Sequence, residues 1–322
     1  MFFRKKFFSA VIICASLISL CACGGTDIKK EKPGIVVTIF PEYDWVMNII
    51  GDHSDDYTVT MLADSGTDLH SFQPTADDII KISSCDLFVY VGGESDEWVK
   101  SVLESAQNKN IKAINLLSVL GGKAKEEETP EGAAHEDEEE KEYDEHVWLS
   151  LGNAALFCRE ICGALSETDK ENAEEYSENT EEYIKKLEAL DGRYRSELSS
   201  AAQKTVLFGD RFPFRYLLDD YGIGSYAAFS GCSAESEASF ETIAFLAGKV
   251  DELSLPAVLT TEGSDGRIAE TIVAATKSKS AKILSLDSLQ SVTKKDAGRK
   301  TYLSAMEKNL EVLKEALGTG GN

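Results

Sequence analysis

Residues 35–51 read IVVTIFPEYDWVMNIIG, and this stretch holds a strand, a breaker and a helix in that order. Ile35 to Phe40 is a short run rich in β-branched residues, and Pro41 follows it. Tyr43 to Ile50 then places apolar side chains at helical spacing until Gly51 closes the helix. The pattern recurs downstream: Thr58 to Ala63 reads as strand, Thr75 to Ser83 as a short helix capped by Thr75, Asp86 to Val91 as strand, Asp96 to Asn108 as helix, Ile111 to Leu116 as strand. Such alternation predicts a parallel sheet covered by helices.

A second series runs through the other half of the chain. Thr205 to Phe208, Ser225 to Phe229, Ala257 to Thr261 and Lys282 to Leu286 read as strands; Phe214 to Tyr221, Ser239 to Glu252, Arg267 to Lys277 and Tyr302 to Leu317 read as helices. Between the two series, Thr168 to Ser200 reads as one long helix, with Tyr176, Tyr183, Leu187, Leu190, Tyr194 and Leu198 in steps of three, four and seven and with Thr168 and Glu171 as a capping box. Such a helix spans roughly 50 Å at about 1.5 Å per residue, longer than one lobe needs. The predicted fold is α/β: two parallel-sheet lobes joined by a long helix, with the cleft between them. At 322 residues and 43% hydrophobic content the chain is long and apolar enough to bury two cores.

The start of the chain bears on the compartment. Arg4, Lys5 and Lys6 precede an apolar run from Phe7 to Leu20, short for a membrane span. It reads as a signal segment over residues 1–22, ending in Leu20-Cys21-Ala22-Cys23-Gly24, which resembles a bacterial lipobox with Cys23 as the lipidated residue. Residues 23–33 read as a tether, 34–165 as the N-terminal lobe, 166–203 as the linking helix and 204–322 as the C-terminal lobe. The expected location is extracytoplasmic, anchored to the cell membrane by lipid on Cys23. The formal charge is −23; removing residues 1–22 takes away three basic and no acidic side chains and leaves −26. A surface so negative excludes nucleic acid as a partner and favours a cationic ligand. The remaining cysteines are too few for a disulfide scaffold in so long a chain.

Residues 121 to 146 break the alternation with twelve acidic side chains, three lysines, His135 and almost nothing apolar. The stretch reads as a mobile acidic loop over 121–145, because such a composition cannot pack a core. It runs directly into His146. With four histidines in the chain, position matters: His70 lies in Gly66-Thr67-Asp68-Leu69-His70-Ser71-Phe72-Gln73-Pro74, after a strand and before a helix, and His146 lies in Asp144-Glu145-His146-Val147-Trp148-Leu149-Ser150. Loops at the carboxyl ends of parallel strands are where open α/β sheets bind ligands. Imidazoles beside carboxylates suit zinc or manganese, although for one such histidine a surface or core role is the commoner fate.

The two His-bearing phrases resemble the motifs of the zinc and manganese solute-binding proteins of ABC transporters, a family that includes zinc-uptake lipoproteins and streptococcal adhesins. The likeness extends from Ile35 to Tyr302–Leu310. It implies two lobes joined by a long helix, a metal held between them, a membrane permease as partner, a monomeric receptor and no enzymatic activity. It also implies His70 and His146 as ligands, a third ligand from the first βα loop of the second lobe and a fourth acid after a late strand. Arg211 aligns with the third position, and arginine cannot bind a metal. Asp210 is the substitute, with Arg211 pairing with a carboxylate and latching the lobes as the alternative. Asp287 matches the fourth position; Glu262, Glu235, Cys232 and His135 are further candidates.

An acidic, His-bearing loop is typical of the zinc members, so the expected cargo is Zn2+, with Mn2+ as the alternative. Two other readings remain at this level: a surface metal buffer or adhesin, and an extracytoplasmic metallohydrolase. The last needs an open metal position and a general base, and no HExxH or GxSxG motif occurs.

Overall fold

The computed structural model describes residues 32–128, 131, 142–231 and 237–319. Cys23, His135, Cys232 and Glu235 lie outside the described residues, as does the segment read as a signal. From Pro33 onward the chain forms one compact unit.

The first sheet is built from β1 (Gly34–Val37), β2 (Thr58–Met61), β3 (Leu87–Tyr90) and β4 (Lys112–Asn115), ordered β2-β1-β3-β4 and parallel throughout. Its helices are α1 (Phe40–Ile50), α2 (Ala76–Ser84), α3 (Trp98–Ser105), α4 (Leu116–Leu120) and α5 (Leu151–Thr168), followed by the long α6 (Ala173–Ser199). The second sheet holds β5 (Thr205–Phe212), β6 (Gly224–Ser230), β7 (Ala257–Thr261) and β8 (Lys282–Leu286), ordered β6-β5-β7-β8 and again parallel. Helices α7 (Arg215–Asp220), α8 (Phe240–Leu253), α9 (Arg267–Ala275), α10 (Lys294–Ala297) and α11 (Tyr302–Ala316) accompany it. Two parallel α/β lobes are therefore present, as the alternation predicts.

The differences from the sequence reading have local causes. Helix α1 starts at Phe40, three residues before the expected Tyr43, because the Glu42 carboxylate accepts from the Thr38 and Ile39 backbone N–H groups (2.7 and 3.1 Å) and from the Thr38 hydroxyl. The expected capping box at Thr168 does not form. Thr168 ends α5, its hydroxyl donating back to the Leu165 carbonyl, and Asp169 accepts from the Asn172 side chain and the Tyr176 hydroxyl before α6 begins at Ala173. The long helix is thus 27 residues, about 40 Å. One face, from Tyr176 through Tyr183, Leu187 and Tyr194 to Leu198, is buried against α1, α5 and α11. Each such side chain contributes about 1.5–3 kcal/mol on burial, so this stripe outweighs the helix's otherwise charged composition.

The described ends of the acidic segment are more ordered than its composition suggests, while residues 129–130 and 132–141 lie outside the described residues. These ends are paired: Glu127 N–H donates to the Glu142 carbonyl, Asp144 N–H to the Lys125 carbonyl, and Glu126 bridges Tyr143 in antiparallel fashion. They dock on α7, where the Tyr216 hydroxyl accepts from Lys125 N–H, Asp219 pairs with Lys125, and Arg215 reaches Glu128 and the Glu126 carbonyl. Ionic and backbone contacts supply what the missing apolar residues do not.

The lobes meet around fully buried Trp148. Its indole N–H donates to the Ser288 carbonyl, and its own carbonyl accepts from the hydroxyl of Tyr302, 2.6 Å away. Tyr302 in turn stands edge-on to Trp45 of α1. Nearer the strand ends, Ser65 bridges Thr293 and Lys294 N–H donates to the Asp64 carbonyl. These contacts fix the loops that follow β2 and precede α5, where the two motif histidines sit.

Candidate metal centre

His70 stands in a single helical turn, Leu69–Ser71, after β2. Asp68 shapes that turn: its Oδ1 accepts the His70 backbone N–H at 3.0 Å. His146 opens a similar turn, Val147–Leu149, before α5, and Asp144 Oδ1 accepts its backbone N–H at 2.8 Å. The two imidazoles then converge from different loops of the first lobe, with Nε2 facing Nε2 at 3.1 Å.

The opposite nitrogens decide what this contact is. His146 Nδ1 lies 2.9 Å from Asp144 Oδ1. His70 Nδ1 lies 3.3 Å from Glu145 Oε2 and 2.9 Å from Ser95 Oγ. A carboxylate only accepts, so His146 Nδ1 carries its proton towards Asp144 and its Nε2 keeps a lone pair; at His70 the tautomer in which Nδ1 donates to Ser95 Oγ, with Glu145 nearby, leaves the Nε2 lone pair facing the same point. Two lone pairs face one another, and they need a cation or a proton between them. Burial works against charging His146, yet the hydrogen bond to Asp144 and the charges of Asp144, Glu127 and Asp68 outweigh it and raise its pKa above 6.5. Burial likewise pushes the Glu145 carboxyl up, but His70 and Ser95 bring it below its ordinary value. Glu145 is therefore held in its ionised form, and the pair sits among the carboxylates of Asp144, Glu145 and Asp68.

Two glycines make room. Gly93 has φ of +78°, and a Cβ there would stand 2.2 Å from Glu145 Oε1, the oxygen that accepts from Ser95 N–H. Only glycine lets Glu145 close under His70. Gly231, just after β6, touches the other side of the pair: a Cβ would meet the Phe212 carbonyl at 2.9 Å and His146 Cε1 at 3.0 Å. The second lobe therefore packs its backbone directly on His146.

The second-lobe acids expected as ligands are committed elsewhere. Asp210 Oδ2 accepts from Thr261 N–H (3.1 Å) and Oγ1 (2.9 Å), and its Oδ1 accepts from Arg211 N–H. Asp287 pairs with Lys300 Nζ at 2.5 Å and accepts from Leu289 N–H. Glu262 accepts from Ser288 N–H and Oγ and organises the turn over residues 288–291. Among the described residues no three His, Cys, Asp or Glu side chains gather closely enough to hold a metal ion. The structure thus brings His70 and His146 together and leaves Asp210, Asp287 and Glu262 apart from them. Asp210 points away because β5 changes register against β6 between Phe208 and Arg211, which turns Arg211 towards the first lobe and Asp210 towards β7. The Arg211 guanidinium meets Asp68, with Nη2 3.0 Å from Oδ2.

The orienting roles of Asp144, Glu145, Asp68 and Ser95 are not assigned by the sequence motifs alone. The run Asp144-Glu145-His146 is the signal for two of them, while Ser95 reaches His70 only through the fold.

A family model described as the periplasmic component A of the zinc-uptake complex matches residues 35–316. The chain belongs to that family. Among its relatives is the zinc-binding lipoprotein AdcA of Streptococcus pneumoniae, 32% identical over 95% of this chain and 61% of the relative's length. The chain therefore spans less than two thirds of that protein. The high-affinity zinc uptake system protein ZnuA of Bacillus subtilis is 29% identical over 97% of this chain and 98% of its own. Among solved structures, the Zn(II)-bound ZnuA-like domain of the pneumococcal AdcA superposes with a TM-score of 0.70 at 29% identity, covering 89% of this chain and 99% of that domain.

Proposed function

We propose that this chain is an extracytoplasmic solute-binding receptor that captures a divalent transition metal, zinc in the first place, and delivers it to an ABC-transporter permease. The observation that carries the reading is the His70–His146 pair, with both Nδ1 atoms on acids and both Nε2 atoms 3.1 Å apart. Two nitrogens bound to one tetrahedral zinc at about 2.0–2.1 Å stand roughly 3.3 Å apart, so the imidazoles need almost no movement to share an ion. Carboxylates behind both ligands raise their donor strength and fix their tautomers. The overall negative charge concentrates cations around the chain. The family membership and the zinc-binding names of the relatives point the same way.

His70 and His146 are the first two ligands in this reading. Asp287 joins them only by leaving Lys300, and Asp210 only by leaving Thr261. Cys232 is bonded to Gly231, whose backbone rests against His146, and Glu235 follows three residues later. A thiolate at Cys232 favours zinc over manganese. Lipid on Cys23 would hold the receptor at the membrane beside its permease.

The receptor releases what it binds unchanged, so metal held in the crystal is the direct test. Anomalous maps of the metal-loaded protein, collected at the zinc and manganese edges, should place one zinc between His70 and His146 and show which second-lobe side chain completes the shell. An ion elsewhere, or none after loading, would refute the reading.

A further inference from the structure

Arg211 is built into position rather than left on the surface. Gly209, within the stretch where the register shifts, lies so close to the second lobe's own helix that a Cβ there would stand 2.6 Å from Ala269 Cα. Asp210 is then held by Thr261 through one oxygen and by Arg211 N–H through the other. The guanidinium is carried across to Asp68, where Nη2 lies 3.0 Å from Oδ2; the two side chains are 30% and 16% exposed. The second Asp68 oxygen accepts the backbone N–H of His70. One carboxylate thereby joins a cation of the second lobe to the turn that presents His70.

We propose that Arg211 is a positioning residue for metal capture: a cation fixed in the second lobe that latches Asp68, and through Asp68 the His70 turn, in the arrangement that receives the ion. The proposal rests on the metal-receptor reading of the histidine pair, but the latch itself belongs to the metal-free protein. Arginine suits the task because it stays charged and offers no lone pair, so it fixes Asp68 without competing for the ion. The same loop is held three residues earlier by the Ser65–Thr293 bridge and the Lys294–Asp64 hydrogen bond. Losing the latch therefore loosens residues 66–71 locally and does not separate the lobes. If the competent arrangement is populated only to a fraction, the apparent dissociation constant rises by the inverse of that fraction.

The test compares the full chain with Arg211→Gln, Asp68→Asn, the double variant and Arg211→Lys. Asp68→Asn keeps an oxygen for His70 N–H while removing the charge. Amide hydrogen exchange of residues 66–72 is read without metal, and zinc affinity is read by chelator competition. Each single variant should speed exchange in that segment alone and weaken zinc binding, both by roughly three- to tenfold. The double variant should be no worse than the worse single, and Arg211→Lys should recover part of the loss. Unchanged exchange in metal-free Arg211→Gln, effects that add in the double variant, or faster exchange across the whole chain would each overturn the latch. If the parent binds no zinc the receptor reading falls, and the metal-free exchange still decides the latch.

Discussion

His70 and His146 point their Nε2 atoms at each other across 3.1 Å while Glu145 and Asp144 stand behind their Nδ1 atoms. Neighbouring residues of one short run thus serve two different loops: Asp144 orients the histidine two positions on, and Glu145 turns the other way to the histidine of the preceding motif. The arrangement leaves two lone pairs aimed at one point in a negative field, which is the electrostatic description of a cation site.

If those carboxylates orient the ligands, Glu145→Gln and Asp144→Asn should each weaken zinc binding by about 10- to 100-fold while leaving the fold intact. Competition titration with a zinc chelator, alongside circular dichroism, measures both. Parent-like affinity in the two variants would show that the acids are bystanders.

Acid should unload the site. A protonated imidazole cannot ligate, and the His146 pKa lies above 6.5 because Asp144 and the neighbouring charges outweigh burial. Zinc affinity should therefore hold steady in alkali and begin to fall at a higher pH than an ordinary imidazole would dictate, about tenfold per pH unit for each proton displaced. In Asp144→Asn the fall should begin at lower pH, since the main upward influence is gone. A titration series from pH 8 to 5 with identical profiles in parent and variant would contradict this.

Asp96 offers a separate check on the lobe beneath His70. Burial raises its carboxyl to about 7, with Glu145 adding to the rise against the hydrogen bond from Gly92 N–H. The folded state then keeps a proton that the unfolded chain loses near pH 4, so this contribution to stability is present in acid and lost as pH rises through 7. The loss is on the order of 2–4 kcal/mol across that window. Asp96→Asn should flatten the decline in denaturation midpoint between pH 4 and 7 in the metal-free protein. A decline as steep as the parent's would place the proton elsewhere.

The fold was legible because strand and helix alternate with clear periodicity on both sides of one long helix, from Ile35 onward. Element ends were less so. Glu42 starts α1 early by reaching back to Thr38 and Ile39, and Asp169 separates α5 from α6, and neither is a local propensity signal. The His pair was legible from its two motifs. The engagement of Asp210 and Asp287 was not, because it depends on a shift in register at Arg211 and on Lys300, thirteen residues after Asp287. The acidic segment shows the same limit: its composition forbids a core, but Lys125, Glu126 and Glu128 find Tyr216, Arg215 and Asp219 on another lobe.

Excising residues 129–141 while keeping the paired ends should leave one tight zinc per chain, because the His pair and its acids lie outside that stretch. Loading at scarce metal should slow, as thirteen residues that include half of the acidic side chains between 121 and 146 are gone. Stopped-flow mixing with a zinc indicator reads the rate, and equilibrium titration reads the site. Loss of the tight site would show that the segment supplies a ligand, with His135 as the donor.

The central claim is that His70 and His146 share one ion, and zinc titration of the parent against His70→Ala and His146→Ala tests it most directly. The parent should bind one zinc tightly and gain thermal stability with occupancy, since a ligand specific to the folded state stabilises by mass action. Each single substitution should weaken binding by at least roughly 100-fold and abolish most of that gain. Parent-like affinity in both variants would contradict the account.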